Sequence, residues 1–313
     1  MNKIFLIFLI LVSSVFANET IFQSVIKNVA LKDTQSAINS AKNLQKELNS
    51  ENFSKFLKDW KRVETNYLAG EIDSDYLDTP RYIDVFNNLK EDLNSQMQRA
   101  IDTDTEVKKA LFKNSFKTIN ALEYVLYSSP KLDDRKVAIS KEILSSIISN
   151  LEEIKAVYEN YLKNPIAKDD DNAKLINTLV ASSYRLKEWR VGNAGGFSSK
   201  YKNDSKNSRA EYFLSQNSFE AINSILDAQK EMISNENYKN LLNLAKEKNA
   251  TNELELVVSK IDEAKKELKY LPKDDFTNAK KLFDLLSQIH DLYYITIIDK
   301  LGLKAEILDA DGD

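Results

Sequence analysis

The scarcity of chain-breaking residues constrains this sequence more than any other feature, because its 313 residues include only 6 Gly and 4 Pro. Turn-dense all-β architectures need a Gly, Pro or Asn-Gly signal every ~8–12 residues, and that supply is missing. Apolar residues recur instead at helical spacing. Examples are Leu144, Ile147, Ile148, Leu151 and Ile154, then Leu254, Val257, Val258 and Ile261, then Leu282, Leu285, Leu286 and Ile289. No stretch alternates convincingly with period two. The spacing predicts an all-α chain with helices over 20–48, 52–69, 80–99, 105–127, 133–163, 172–191, 216–234, 236–248, 252–270 and 276–301. Pro80, Pro130, Pro165 and Pro272 fall at or between these segments, where a missing N–H costs least.

Short connections between such helices imply antiparallel bundles. Pro165 and the run Asp169-Asp170-Asp171 interrupt the periodicity, so we expect two bundles, over 18–165 and 166–313. The triple Asp is expected to be solvated and to cap the following helix rather than to bind metal, since consecutive side chains diverge. Gly192 to Asn217 is the least regular stretch, and its length suits an ordered or functional loop.

The composition excludes several chemistries. Hydrophobic residues make up 42% of the chain and charged residues 29%, enough for a sizeable core. Lys and Arg total 44 against 48 Asp and Glu, a net charge of -4 with the signs interspersed, so no basic nucleic-acid footprint is present. With no Cys, disulfides, thiolate zinc sites, iron–sulfur clusters, a Cys nucleophile and a lipid-modified N-terminal Cys are all excluded. The single His, His290, excludes any site that needs two, and we expect it to be packed or at the surface, titrating near neutrality at most.

The N-terminus has the layout of a secretory signal. Lys3 precedes the apolar run Ile4 to Val12, and Ser13-Ser14-Val15-Phe16-Ala17 ends in small residues. Cleavage is expected after Ala17, leaving no membrane span, since the run is far short of the ~20 residues a span needs. The expected destination is a periplasm or the exterior.

Three stretches in order along the chain resemble the imelysin-like family. The first is Trp60-Lys61-Arg62 through Tyr67-Leu68-Ala69-Gly70 to Asp78-Thr79-Pro80-Arg81-Tyr82-Ile83-Asp84. The second is Leu186-Lys187-Glu188-Trp189-Arg190-Val191-Gly192-Asn193-Ala194-Gly195-Gly196-Phe197, followed by Glu211, Ser215 and Ser218. The third runs from Leu301-Gly302-Leu303 to Asp309-Ala310-Asp311-Gly312-Asp313. The resemblance implies an exported, bilobed fold of two related four-helix bundles. That family's signature, Gly-x-His-x-x-Glu, corresponds here to Thr118-Ile119-Asn120-Ala121-Leu122-Glu123. Only the Glu survives, and Asn120 replaces the metal-type His.

On one helix, Phe116, Asn120, Glu123 and Tyr127 would share a stripe, aromatic at both ends and polar in the middle. A carboxyl placed there must be hydrogen-bonded, paired or protonated, which makes Glu123 the leading site candidate and the one candidate metal ligand. Asn120 offers only a neutral amide oxygen, poor for zinc but tolerable for hard cations. A purely structural role would have Asn120 and Glu123 clamp a neighbouring helix through Arg190 or Arg81, with Arg190 paired to Glu123 or Asp84. By resemblance, Trp60, Trp189 and Arg190 join the site between the bundles, though Trp at a helical position is more often core. The acidic C-terminus is no EF-hand, because the chain ends before a twelfth-position Glu.

The resulting expectation is an exported, non-enzymatic binding protein without catalytic residues, linked to uptake of iron or another hard metal ion. Its partners would be that ion or a small ligand, and envelope iron-uptake proteins. The alternatives are a metallopeptidase, for which too few ligands remain, and a structural or interaction module.

Overall fold

Short polar residues set where several of the helices begin. Thr20 Oγ1 accepts from Gln23 N (3.1 Å) while Gln23 Oε1 accepts from Thr20 N (3.2 Å), a reciprocal cap that satisfies two otherwise orphaned donors. Asn49 and Asp133 cap two later helices one way only, by accepting from Asn52 N and Lys136 N. The computed structural model describes residues 19–87 and 91–305, and within them every regular element is helical, with no strand. The signal segment, its expected cleavage after Ala17 and the tail Asp309–Asp313 lie outside the described residues.

The main helices are α1 (Ile21–Val25), α2 (Leu31–Lys46), α3 (Ser50–Thr65), α4 (Leu93–Asp102), α5 (Ile119–Tyr127) and α6 (Asp134–Lys163), followed by α7 (Asp171–Arg185), α8 (Ser218–Ser234), α9 (Leu241–Glu247), α10 (Thr251–Tyr270) and α11 (Lys280–Asp291). Wide π-helical turns continue α1 (Ile26–Ala30), α7 (Leu186–Gly192) and α11 (Leu292–Ile297) without a break. In the first half α2 packs on α3 and α6, and α5 on α6 and α4; in the second, α11 packs on α10 and α7, and α8 on α10. The pairing of α3 with α8 joins the halves. There Ser224 Oγ donates to the Lys58 carbonyl (2.7 Å), and Arg62 pairs with both Asp33 and Glu231.

One buried apolar cluster runs from Phe22 to Leu301 and includes Trp60, Tyr158, Ile147, Leu226, Val257 and Tyr293. Each large apolar side chain removed from water contributes roughly 1.5–3 kcal/mol, so the continuous core couples both halves of the chain.

Two predicted helices are broken. Among the described residues of 80–99 the α-helix begins only at Leu93 and then runs to Asp102, and 105–127 divides into Val107–Ala110, a 3₁₀ turn at Asn114–Lys117 and α5. The break has a local cause. Thr118 is extended (φ -107°, ψ 166°) and its Oγ1 accepts from Ala121 N (3.4 Å), so it caps α5 instead of continuing a helix. Phe116 therefore does not share the stripe of Asn120, Glu123 and Tyr127. The triple Asp is solvated at Asp169 and Asp170 as expected, but the cap is not made: Asp170 sits at the start of α7, pairs with Lys174 (3.0 Å) and provides no side-chain cap.

Gly192 to Asn217 forms an ordered loop. Phe197 N and Ser198 N both donate to the Gly192 carbonyl, and Lys206 N to the Ala194 carbonyl. Gly196 has φ +73°, and a Cβ there would lie 2.7 Å from Ser205 N. Glycine is required at this turn.

Candidate functional site

The loop and the α3 helix assemble a knot of buried charge. Lys61, fully buried in α3, donates to Asp84 Oδ2 (2.8 Å), Glu211 Oε1 (2.6 Å) and Glu64 Oε2 (2.7 Å). Arg190, on the π-helical turn after α7, donates from Nε to Glu211 Oε2 (2.8 Å) and from Nη2 to both oxygens of Glu64 (2.9 and 2.8 Å). Trp60 Nε1 (3.0 Å) and the Tyr212 hydroxyl (2.8 Å) complete the donors to Asp84 Oδ2. Two cations thus directly contact three carboxylates.

Charge complementarity sets the protonation of Asp84 and Lys61, while burial prevails at Glu211 and raises it. Burial works against the ionised Asp84, but Lys61, the Phe86 N–H and Arg190 outweigh it and hold the carboxyl well below its ordinary range. Burial likewise opposes the ammonium of Lys61, yet Asp84, Glu211 and Glu64 keep it above the usual lysine value.

Glu123 lies beside this knot and is treated differently. Its Oε1 accepts from Ser215 N (2.8 Å) and Ser215 Oγ (2.7 Å), and among the described residues no cation reaches it. Burial dominates, with Glu211 and Asp84 repelling its charge, and the carboxyl is pushed up to about 7 despite the Ser215 bonds. Asn120 Oδ1 accepts from Val85 N (2.7 Å), pinning the Ile83–Val85 segment to the start of α5. Both residues line a cleft of about 310 Å³ walled by Phe86, Glu211, Tyr212 and Phe213.

The expected clamp therefore exists with other partners. Glu123 holds Ser215 and Asn120 holds Val85, whereas Arg190 takes Glu64 and Glu211 and forms no pair with Glu123 or Asp84. Arg81 is exposed and pairs with its neighbour Asp78 (3.1 Å). Trp60 is fully buried against the knot, while Trp189 is half-buried and takes no part in it. Lys61, Glu64 and Tyr212 were not singled out from the sequence. Lys61 and Glu64 sit three apart on one helix, a spacing that reads as an ordinary surface pair, and nothing local marks it as buried.

His290 is buried as well. Its Nδ1 shares a hydrogen bond with Ser183 Oγ (3.0 Å) and its ring stacks on Tyr294 (5.8 Å). It is the packed histidine expected, and burial and the nearby Lys187 push it down to about 4, so it is neutral at physiological pH.

Among the described residues, no three His, Asp or Glu side chains converge in a geometry that could hold a metal ion. The reasons are visible in the bonding: Glu211 is committed to Lys61 and Arg190, and the Asn120 oxygen to Val85 N–H.

The Imelysin family model matches residues 24–294, and the chain belongs to the imelysin family. The fold is shared with an imelysin-like protein from Psychrobacter arcticum 273-4 at TM-score 0.76 and 15% identity, covering 90% of this chain and 95% of that one. It is also shared with a protein from Parabacteroides distasonis ATCC 8503 named an iron-regulated protein A precursor, at TM-score 0.59 and 12% identity, covering 90% and 92%. No curated protein matches the chain. Among the described residues no helix is long and apolar enough to cross a membrane.

Proposed function

We propose that this chain is an exported, non-enzymatic binding protein, divided near residues 165 and 166, whose ligand occupies the cleft at Glu123 and serves the handling of iron or another hard metal. The observation that carries the reading is a buried carboxyl with no cationic partner at the edge of an open cleft. A group of that kind, poised near neutrality, is the usual mark of a working site rather than of a packing contact. The name of the Parabacteroides relative supports the link to iron.

The donor set does not suit a bare ion, because Glu123 is the one carboxyl of the cleft not already bound to a cation. Iron would have to arrive in a complex that supplies most of its own oxygen ligands, with Glu123 completing or hydrogen-bonding it. A metallopeptidase would need three protein ligands and a water, which this arrangement does not offer.

Equilibrium dialysis against ferric citrate, with iron measured by elemental analysis, tests the proposal beside a Glu123→Gln variant. Near-stoichiometric iron that falls about tenfold in the variant is expected. Equal retention in both proteins, or none in either, overturns it. A second reading, a purely structural joint, is favoured by the Ser215–Glu123 bonds that tie α5 to the segment before α8; it predicts a change in stability with no ligand at all.

A further inference from the structure

A second concavity, of about 430 Å³, lies between the end of α4 and the Val107–Lys117 segment. It shares no lining residue with the cleft at Glu123. Three of its lining side chains, Arg99, Lys109 and Lys113, are cationic, and none is acidic. Lys113 is held by Glu91 (2.6 Å) and Gln96 (2.8 Å), and Lys109 loosely by Glu106 (3.6 Å). Arg99 is exposed, and among the described residues its guanidinium has no hydrogen-bond or ion-pair partner. Behind the wall Arg135 Nη2 donates to the Ala100 carbonyl (3.0 Å), while its buried Nε has no partner. These cations offset the negative C-terminal end of α4; Arg99 feels the charge of Asp92 but, among the described residues, spends none of its N–H groups on a hydrogen bond.

An aromatic platform adjoins the charge. Phe112 is 71% exposed and meets the buried Phe116 edge to face at 5.5 Å, with Lys113 Nζ 5.6 Å from the Phe116 ring. A phenylalanine left this bare contributes nothing to the core, whereas a ring stacked on it would remove apolar area from water. A free guanidinium fork suits an oxyanion, which it can bind through two parallel bonds.

We propose that this concavity is a second binding site, for a small compound that carries a phosphate or carboxylate on an aromatic body, with Arg99 holding the anion and Phe112 the ring. Its size falls within the range of small-molecule sites. It operates independently of the ligand at Glu123.

Calorimetric titration of the purified chain with phenyl phosphate tests the assignment, with inorganic phosphate and benzyl alcohol in parallel. We expect saturable phenyl phosphate binding at least about tenfold tighter than either half-ligand. Arg99→Gln and Phe112→Ser should each weaken it by about tenfold, a change of ~1.4 kcal/mol, without moving the melting temperature, since both side chains are exposed. Absence of saturation up to about 10 mM, or variants that bind as tightly as the unaltered chain, overturns the site. So does binding to phosphatidylglycerol vesicles that depends on Arg99 and Phe112 while phenyl phosphate fails to bind, because the face would then serve a lipid surface.

Discussion

Asp84 and Glu123 are buried to nearly the same degree, 6% and 7% exposed, yet one is held ionised and the other close to neutral. Asp84 receives Lys61, Trp60, Tyr212 and the Phe86 N–H, while Glu123 receives only Ser215. Burial alone therefore does not separate these two carboxyls; the cation and the further donors on Asp84 do, whereas Asp33 and Glu211 are raised by burial even beside their cations. The contrast separates a charge knot that fixes the geometry between α3, the π-helical turn and the loop from a neighbouring group left free to exchange a proton or meet a ligand.

The largest effect should come from breaking the knot. Lys61→Met removes the cation shared by three carboxylates without changing much volume, and stranding a buried charge typically costs ~3–5 kcal/mol. Urea unfolding at pH 7 would measure it. A loss below about 1 kcal/mol would mean that the carboxyls neutralise or hydrate easily, and that Asp84 and Glu123 differ less than their surroundings indicate.

Glu123→Gln sharpens the same comparison through pH. With a folded-state value of about 7 against an ordinary value near 4.5, the native state favours the protonated acid. Its contribution is complete below about pH 4.5 and is lost as pH rises through 7, a span worth roughly 3 kcal/mol. Gln keeps the shape and cannot ionise, so the variant should lose this decline and be the more stable protein at pH 8. Asp84 has the opposite sign: its contribution is present above the ordinary aspartate range and is lost in acid. Unfolding free energies of both proteins at pH 4.5 and 8 provide the check, and parallel curves would show that Glu123 holds its proton no more tightly folded than unfolded.

The helical class was legible because the apolar period needs only neighbouring residues, and α6, α8 and α10 lie within a few residues of their predicted limits. The stretch from Pro80 to Tyr127 was harder to read. There Thr118 leaves the helix to cap the next one, and the chain bends to bring Val85 N–H to Asn120, a contact across 35 positions that no local pattern encodes. Glu123 was identifiable as a carboxyl in apolar surroundings. Its partner was not, because Ser215 lies 92 residues away and approaches through a loop that carries no periodic signal. Arg190 could be marked as a buried cation, but the choice among Glu64, Glu211, Asp84 and Glu123 depends on tertiary packing alone.

The two smallest predictions divide the clamp into its parts. Ser215→Ala removes the hydroxyl that donates to Glu123 but keeps the backbone N–H, so it should cost ~1–2 kcal/mol above pH 7, where the carboxylate is charged, and less at pH 4.5. The Glu123 transition should move to still higher pH, because a donor that favoured the charged form is gone. Asn120→Ala leaves the Val85 N–H without its acceptor and should cost about 1 kcal/mol at both pH values, since neither partner titrates. A loss from Asn120→Ala that grew with pH in step with Glu123 ionisation would place the amide in the same proton-linked unit as the carboxyl. A flat loss would leave Asn120 as a local pin and Glu123 as the titrating group of the cleft.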